Sequence, residues 1–298
     1  MKRYINTKSF IVALGALLLT AMVGCEPERP TYDGPNYVMF SAERHDLGIL
    51  DSEEWFEIPI SATRTAEYDR NVGVEIIAAR SSAIYGLHYT VESTTVTIPA
   101  GKLTTALRIK GNPDEIGVSD SLGVTLRLAI NEEDEWEDYN VETEVYLHKC
   151  CPFDINYFTG YAVLTSTWVM QYMNAESLLV HTHLDENTPN TIIVEDMFYK
   201  GYDISITLNN DNRLEPLIEM PQEQVVGSTG EAFGTIYGNG KLMMTQTIGA
   251  SSYYSSCEGF LLLYVTIYVD GVGTVGTYAN VLEWITDEEA ERIMREGF

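Results

Sequence analysis

The residues whose types and spacing could do chemistry are few. His181-Thr182-His183 puts two imidazoles on one face of a strand, because strand side chains alternate with a period of two. A borderline metal ion needs such a pair, and Glu195 and Asp196, one strand later, offer carboxylates. Spacing alone fixes no third ligand, so His181 and His183 are candidates and no metal site is assigned. A second place for a cation is the acidic run Glu132-Glu133-Asp134-Glu135, continued by Glu137 and Asp138. Calcium takes about six to eight oxygens from a loop that folds around it, often through a glycine turn. This run has neither glycine nor D-x-D-x-D-G spacing and reads as a solvated hairpin loop, with Glu133 and Asp134 as its candidate ligands. The expectation is no resident cofactor, with Ca2+ the ion to look for.

For catalysis there is no G-x-S-x-G, no H-E-x-x-H and no phosphate loop, and acidic residues are too numerous for a pair to be singled out. No catalytic residue is assigned, and the chain is read as a non-enzyme. Tyr253-Tyr254 stands in the small, polar stretch 249–256, where two large rings could stack on a sugar or anchor a protein contact. The alternative is that both rings fold back and cap the domain. These two tyrosines are the candidate ligand-binding residues.

Cysteine chemistry divides by position. Cys25 closes an N-terminal segment in which Lys2, Arg3 and Lys8 precede an apolar run over 10–23. At about fourteen residues the run falls short of the roughly 20 that span a bilayer, so it reads as an export signal. Met22-Val23-Gly24-Cys25 resembles the bacterial lipobox, in which the cysteine is acylated and becomes the new N-terminus. The resemblance implies lipid attachment at Cys25 and cleavage of residues 1–24. A tether over 25–35 follows, bearing Pro27, Pro30 and Pro35. Acidic Glu26 and Glu28 resemble the surface-export signal of Bacteroidetes lipoproteins, although Pro27 interrupts it. The expected location is the outer membrane, lipid-anchored, surface-exposed rather than facing the periplasm. Three cysteines remain: Cys150, Cys151 and Cys257. An odd number leaves one single; Cys150 or Cys151 could bridge to Cys257, or all three could be buried thiols.

Residues 1–24 hold three basic and no acidic residues, so the remainder carries 15 basic against 44 acidic, a formal charge of −29. Such a chain repels nucleic acid and anionic lipid. The membrane is therefore a partner only through the anchor, leaving a glycan or a surface protein as ligand. The 274 residues from Cys25 on exceed the usual single domain, and 19 Tyr and 23 Gly beside abundant Val, Ile and Thr favour β structure.

The elements that would position these residues fall in two blocks. Over 36–148 the period is two: Phe56, Ile58 and Ile60; Val72, Val74 and Ile76; Leu122, Val124, Leu126, Leu128 and Ile130; Val141, Val145 and Leu147. About seven short strands of this kind predict an antiparallel, Ig-like sandwich. Tyr85-Gly86-Leu87-His88-Tyr89 followed by Ile98-Pro99-Ala100-Gly101 resembles the Calx-beta-like sandwich family. The resemblance implies that fold, but His88 stands where the family often has Asp, which weakens its implication of calcium binding.

After the Cys150-Cys151-Pro152 hinge, residues 152–298 show strand patterns at 161–167, 177–183, 191–198, 202–208, 214–220, 233–237, 242–248, 260–269 and 278–284. A meander of this length predicts a closed β-barrel. Thr286-Asp287-Glu288-Glu289 starts a C-terminal helix that Ile285, Ala290, Ile293 and Met294 could pack on the barrel. Phe158-Thr159-Gly160-Tyr161 and Ile218-Glu219-Met220-Pro221-Gln222 resemble the lipocalin-like domains that follow sandwich domains in Bacteroidetes lipoproteins. Along 260–269 both faces are apolar or aromatic. Leu261, Leu263, Val265, Ile267 and Val269 should fill the barrel, while Tyr264 and Tyr268 should lie under the helix or the first domain. An all-β, anchored chain of this layout reads as a binding or accessory module for glycan capture or adhesion. The competing readings are a glycan hydrolase with an unrecognised carboxylate pair in the second domain and a purely structural subunit.

Overall fold

The computed structural model describes residues 32–131, 140–220 and 222–298. The expected anchor, Cys25, its tether up to residue 31, and the acidic candidates Glu133 and Asp134 lie outside the described residues. Among the described residues no helix is long and apolar enough to cross a membrane.

The first domain is a two-sheet sandwich. Its strands are β1 (Val38–Phe40), β2 (Arg44–Ile49), β3 (Phe56–Ala62), β4 (Arg70–Ile76), β5 (Tyr89–Val91), β6 (Thr95–Ile98), β7 (Thr104–Gly111), β8 (Leu122–Ala129) and β9 (Glu142–Lys149). One sheet runs β1-β3-β7-β5 and the other β2-β9-β8-β4-β6. Every pair is antiparallel except β2 with β9, which run parallel because the chain changes sheets between β1 and β2 and enters the second sheet along its last strand. The alternation seen in the sequence is the inside-outside pattern: Ile58, Ile60, Leu107, Ile109, Val124, Leu126, Val145 and Leu147 lie fully buried between the sheets.

The second domain continues with β10 (Gly160–Ser166), β11 (Ser177–Leu184), β12 (Thr191–Glu195), β13 (Ile204–Asn209), β14 (Leu217–Glu219), β15 (Gln224–Ser228), helix α1 (Thr229–Phe233), β16 (Lys241–Gln246), β17 (Tyr253–Ser255), β18 (Phe260–Val269), β19 (Gly273–Trp284) and helix α2 (Asp287–Glu296). Pairing of β18 with β19 and of β19 with β10 closes a ring through β11, β12, β13, β14 and β17, an eight-stranded antiparallel barrel. Closure leaves no free edge in that ring. The wall forks at β18, which pairs with β17 along its first half and with β16 along its second. Two glutamines staple the fork: Gln224 Nε2 donates to Ser205 O at 2.8 Å, and Gln246 Nε2 donates to Ile218 O at 2.9 Å.

Three segments of the second domain differ from the sequence reading, and the sandwich has nine strands among the described residues rather than about seven, β1, β2 and β5 being added. Residues 233–237 form no strand; Gln224–Ser228 does, and Ser228 caps the short α1 in a reciprocal capping box with Glu231. Tyr253 to Ser255, expected as loop, are β17. The C-terminal helix forms where expected, capped by Thr286, whose Oγ1 accepts from Glu289 N. It packs on β10 through buried Ala290, while Met294 is exposed.

The aliphatic face of β18 is fully buried, as its lack of polar atoms requires. The tyrosine face is half-buried on the outer wall and does not lie under α2, which sits over β10 instead. Ring clusters close the two ends of the barrel: Phe153, Phe158, Tyr254 and Trp284 at one, and Trp168, Tyr172, Phe198, Phe233 and Tyr278 at the other.

Candidate functional site

Between the domains lies a cleft of about 610 Å³, lined from the sandwich by Asp46 and His148 and from the barrel by Asn212, Arg213, Tyr253 and Glu258 among others. Its floor is the hinge. Cys151, half-buried, is bonded to Cys257 in the β17–β18 turn with 5.2 Å between their Cα atoms, so the start of the barrel domain is tied to the strand that carries Tyr253. Cys150 remains a thiol; burial pushes its pKa up, against the pull of Arg213, so it is a poor nucleophile.

Arg213 crosses between domains. Its Nη1 donates to Glu54 Oε2 at 2.7 Å and to Gly48 O at 3.3 Å. The loop that presents it is built by asparagines: Asn209 Oδ1 accepts from Asp211 N at 2.9 Å and Asn212 Oδ1 accepts from Leu214 N at 3.0 Å. Gly48 lets this arm approach, since a Cβ there would stand 2.8 Å from Cys150 Sγ and 2.9 Å from Arg213 Cδ.

On the opposite wall, Arg44 grips Asp46 with both ends of its fork, at 2.8 and 2.7 Å, and His148 Nε2 lies 2.9 Å from Asp46 Oδ1. The Arg44 hydrogen bonds first, then the contact with His148, lower Asp46 to about 2, so at neutral pH its carboxylate stands ionised and paired with the Arg44 guanidinium.

The structure separates the two candidate tyrosines. Tyr253 is 40% exposed, its ring meeting Phe260 edge-on at 6.0 Å, and it faces the cleft. Tyr254 points the other way along the strand and is buried against Phe153 and Phe158, with Oη donating to Asn209 O. Its ring caps the barrel and is closed to a ligand; the period of two, recognised as a strand, assigns the pair this way.

The histidine pair forms a second cluster. Thr182, between the two histidines, is buried, donating to Phe158 O and Gly160 O and accepting from Trp284 Nε1 at 2.9 Å, which sets His181 and His183 on the outer wall. Glu195 on β12 stands directly across from His181, and its Oε1 lies 3.3 Å from His181 Nδ1 and 2.9 Å from His183 Nδ1. Among the described residues this is the group of His, Cys, Asp and Glu whose ligating atoms converge, all within 4.8 Å of one another. Asp196 is not part of it: at φ 49° it turns the chain and accepts from Gly201 N. In the sandwich, His88 Nδ1 accepts from Ile84 N at 2.9 Å, a turn latch.

A family model described as "Domain of unknown function (DUF4984)" matches residues 138–296, more than half of the chain, from the last sandwich strand β9 through the hinge and the barrel domain. No curated protein matches the sequence significantly. Among solved structures, a protein of unknown function from Bacteroides ovatus is 11% identical over 83% of this chain and 89% of its own, with a TM-score of 0.36. CBD12 from CALX1.2 is 8% identical over 87% of each chain, with a TM-score of 0.34. The apo-form Calx CBD1 domain is 14% identical over 39% of this chain and 98% of its own, with a TM-score of 0.32.

Proposed function

The chain belongs to the DUF4984 family, and from that premise we propose that it is a lipid-anchored cell-envelope protein that binds a glycan in the cleft between its two β domains, without breaking it down. The observation that carries this reading is Tyr253, a half-exposed ring on the wall of a cleft whose two sides are pinned together by the Cys151–Cys257 bond and the Arg213–Glu54 ion pair. A sugar ring has an apolar C–H face and a rim of hydroxyls. Tyr253 supplies a surface for the first; Asp46, Asn212, Arg213 and Glu258 supply acceptors and donors for the second. Rigid walls lower the ordering cost of binding. A hydrolase would need a carboxyl kept protonated near neutrality, and Asp46, at about 2, is not that acid.

Anchoring at Cys25 holds the cleft at the cell surface, with attachment made permanent by several acyl chains at about 0.8 kcal/mol per buried CH₂. The test uses the soluble chain beginning after Cys25 on a glycan array, followed by calorimetry with the best ligand. Tyr253→Ala should weaken binding by about tenfold, the equivalent of roughly 1.4 kcal/mol. Time-dependent release of oligosaccharide, or binding indifferent to Tyr253→Ala, would overturn the proposal. For the anchor, Cys25→Ala should move the protein from the membrane fraction to the soluble one, and palmitate labelling that persists would refute it.

A further inference from the structure

The cluster on the outer wall of the barrel is independent of the cleft. We propose that His181, His183 and Glu195 form a surface site for one divalent transition-metal ion of the zinc type.

The geometry is that of a coordination face. Metal–nitrogen and metal–oxygen bonds of about 2.0–2.2 Å place neighbouring ligand atoms about 2.8–3.5 Å apart, whether the angles are right or tetrahedral. The two imidazole Nδ1 atoms stand 3.3 and 2.9 Å from the same Glu195 oxygen. All three groups reach outward from paired strands, at side-chain exposures of 41, 49 and 44%, so small rotations close the triangle without moving backbone.

The scaffold is rigid where it matters. β11 is paired on both sides, and His181 is flanked in register by Tyr161 on β10 and Glu195 on β12. The Tyr161 ring meets His181 edge-on at 5.0 Å and restrains its rotation. Thr182 anchors the strand from the opposite face, its hydroxyl bonded to the carbonyls of Phe158 and Gly160 and to the Trp284 indole. The site therefore needs little ordering on binding.

The donor set selects the ion. Two imidazoles and one carboxylate suit zinc, nickel or copper; calcium and magnesium prefer all-oxygen shells. With three protein ligands, at least one position faces solvent and is open to water or to a donor from another molecule.

Zinc chloride titrated into the soluble chain beginning after Cys25, followed by calorimetry, should show one tight site per chain that excess calcium does not displace. Partners outside the coordination shell are worth about 10–100-fold in affinity. Removing two direct ligands in His181→Ala/His183→Ala should therefore cost more than about 100-fold, and Glu195→Gln at least about tenfold. The melting temperature of each metal-free variant checks that it folds. X-ray absorption of the zinc-loaded wild type gives a readout without any variant and should show two imidazole nitrogens. Zinc bound equally by wild type and the double-histidine variant, no tight site in the wild type, or an all-oxygen shell would overturn the proposal.

Discussion

Removing the Cys151–Cys257 bond should destabilise the barrel domain by about 3–5 kcal/mol. The bridge spans a sequence separation of 106, nearly the whole circuit from β10 to the β17–β18 turn. In the chain-entropy account, a cross-link closing about 100 residues restricts the unfolded chain by roughly 4.7 kcal/mol at 25 °C, and measured losses run at about 2–5. The double substitution Cys151→Ala/Cys257→Ala avoids leaving an odd thiol. Urea unfolding followed by the fluorescence of Trp168, in the barrel core, and Trp284, packed against it, reads this domain in a Trp55→Phe/Trp136→Phe background. At about 2–4 °C per kcal/mol for a chain of this size, the melting temperature should fall by roughly 10 °C. Cys150→Ala, which deletes only a half-buried thiol, should cost less than about 1.5 kcal/mol. A double variant within 1 kcal/mol of wild type, on the scale of about 2–5 expected for a native bridge, would refute the reasoning. So would thiol mapping that finds Cys151 free and Cys150 bonded to Cys257.

Three further outcomes follow from particular contacts. Asp46 is depressed to about 2, first by Arg44 and then by His148; a lowered folded value means stabilisation that is complete above the unfolded value of about 4 and lost as pH falls through about 2. Asp46→Asn should therefore destabilise at pH 7 by well under about 1 kcal/mol, since the pair is largely exposed, and urea midpoints of variant and wild type should converge between about pH 4 and 2. Leu263→Ala, on the buried face of β18, should cost about 2–5 kcal/mol in urea unfolding, while Tyr264→Ala on the outer face should cost clearly less; equal losses would mean that β18 is turned over. Gly48→Ala should force Arg213 away and loosen the hinge at a cost of about 1–3 kcal/mol, seen as faster limited proteolysis near 150–152, and an unchanged cleavage rate would count against this contact as an interdomain strut.

How far the fold was legible depended on whether the period survived. In the sandwich, β3, β4, β8 and β9 carry alternating apolar residues and, with β18, stand within a few residues of where the sequence places them, whereas β1 and β5, three residues each, and β2, with three consecutive buried residues, show no such period and were not picked out. The meander with its closed barrel and the capped C-terminal helix were legible for the same reason. The misses cluster where local residues gave the wrong sign. Gln224-Val225-Val226-Gly227-Ser228 carries a bulge at Val225–Gly227 that breaks the alternation, and of Phe233 to Tyr237 only Phe233 packs against the rings at the barrel end, while Ile236 and Tyr237 are exposed and none of them pairs. Tyr253-Tyr254-Ser255 is too short for a period, and its strand character comes from three partners across the turn in β18 and one, Leu217 of β14, distant in sequence.

The candidate sites show the same division between local and distant information. His181 and His183 share a face by strand period alone, but the partner that turns them into a site is chosen by register. Pairing sets His181 against Glu195, whereas a shift of one residue would have offered Asp196, which is instead consumed in its own turn. The cleft was less legible still. Arg213, Asp46 and His148 carry no motif, and they meet Tyr253 only because the hinge disulfide and a side-chain-free Gly48 bring two separately cored domains edge to edge. The forked barrel wall makes this meeting durable. β17, which carries Tyr253, spans only three residues and holds its place through β18 on one side and a single paired residue of β14 on the other. Gln246, reaching from β16 to the carbonyl of Ile218 and the N–H of Met220, stitches β14 to the other branch of the fork. A half-buried amide of this kind specifies position through hydrogen bonds that would be left open by any slip, so the place of Tyr253 on β17 depends in part on a glutamine of another strand.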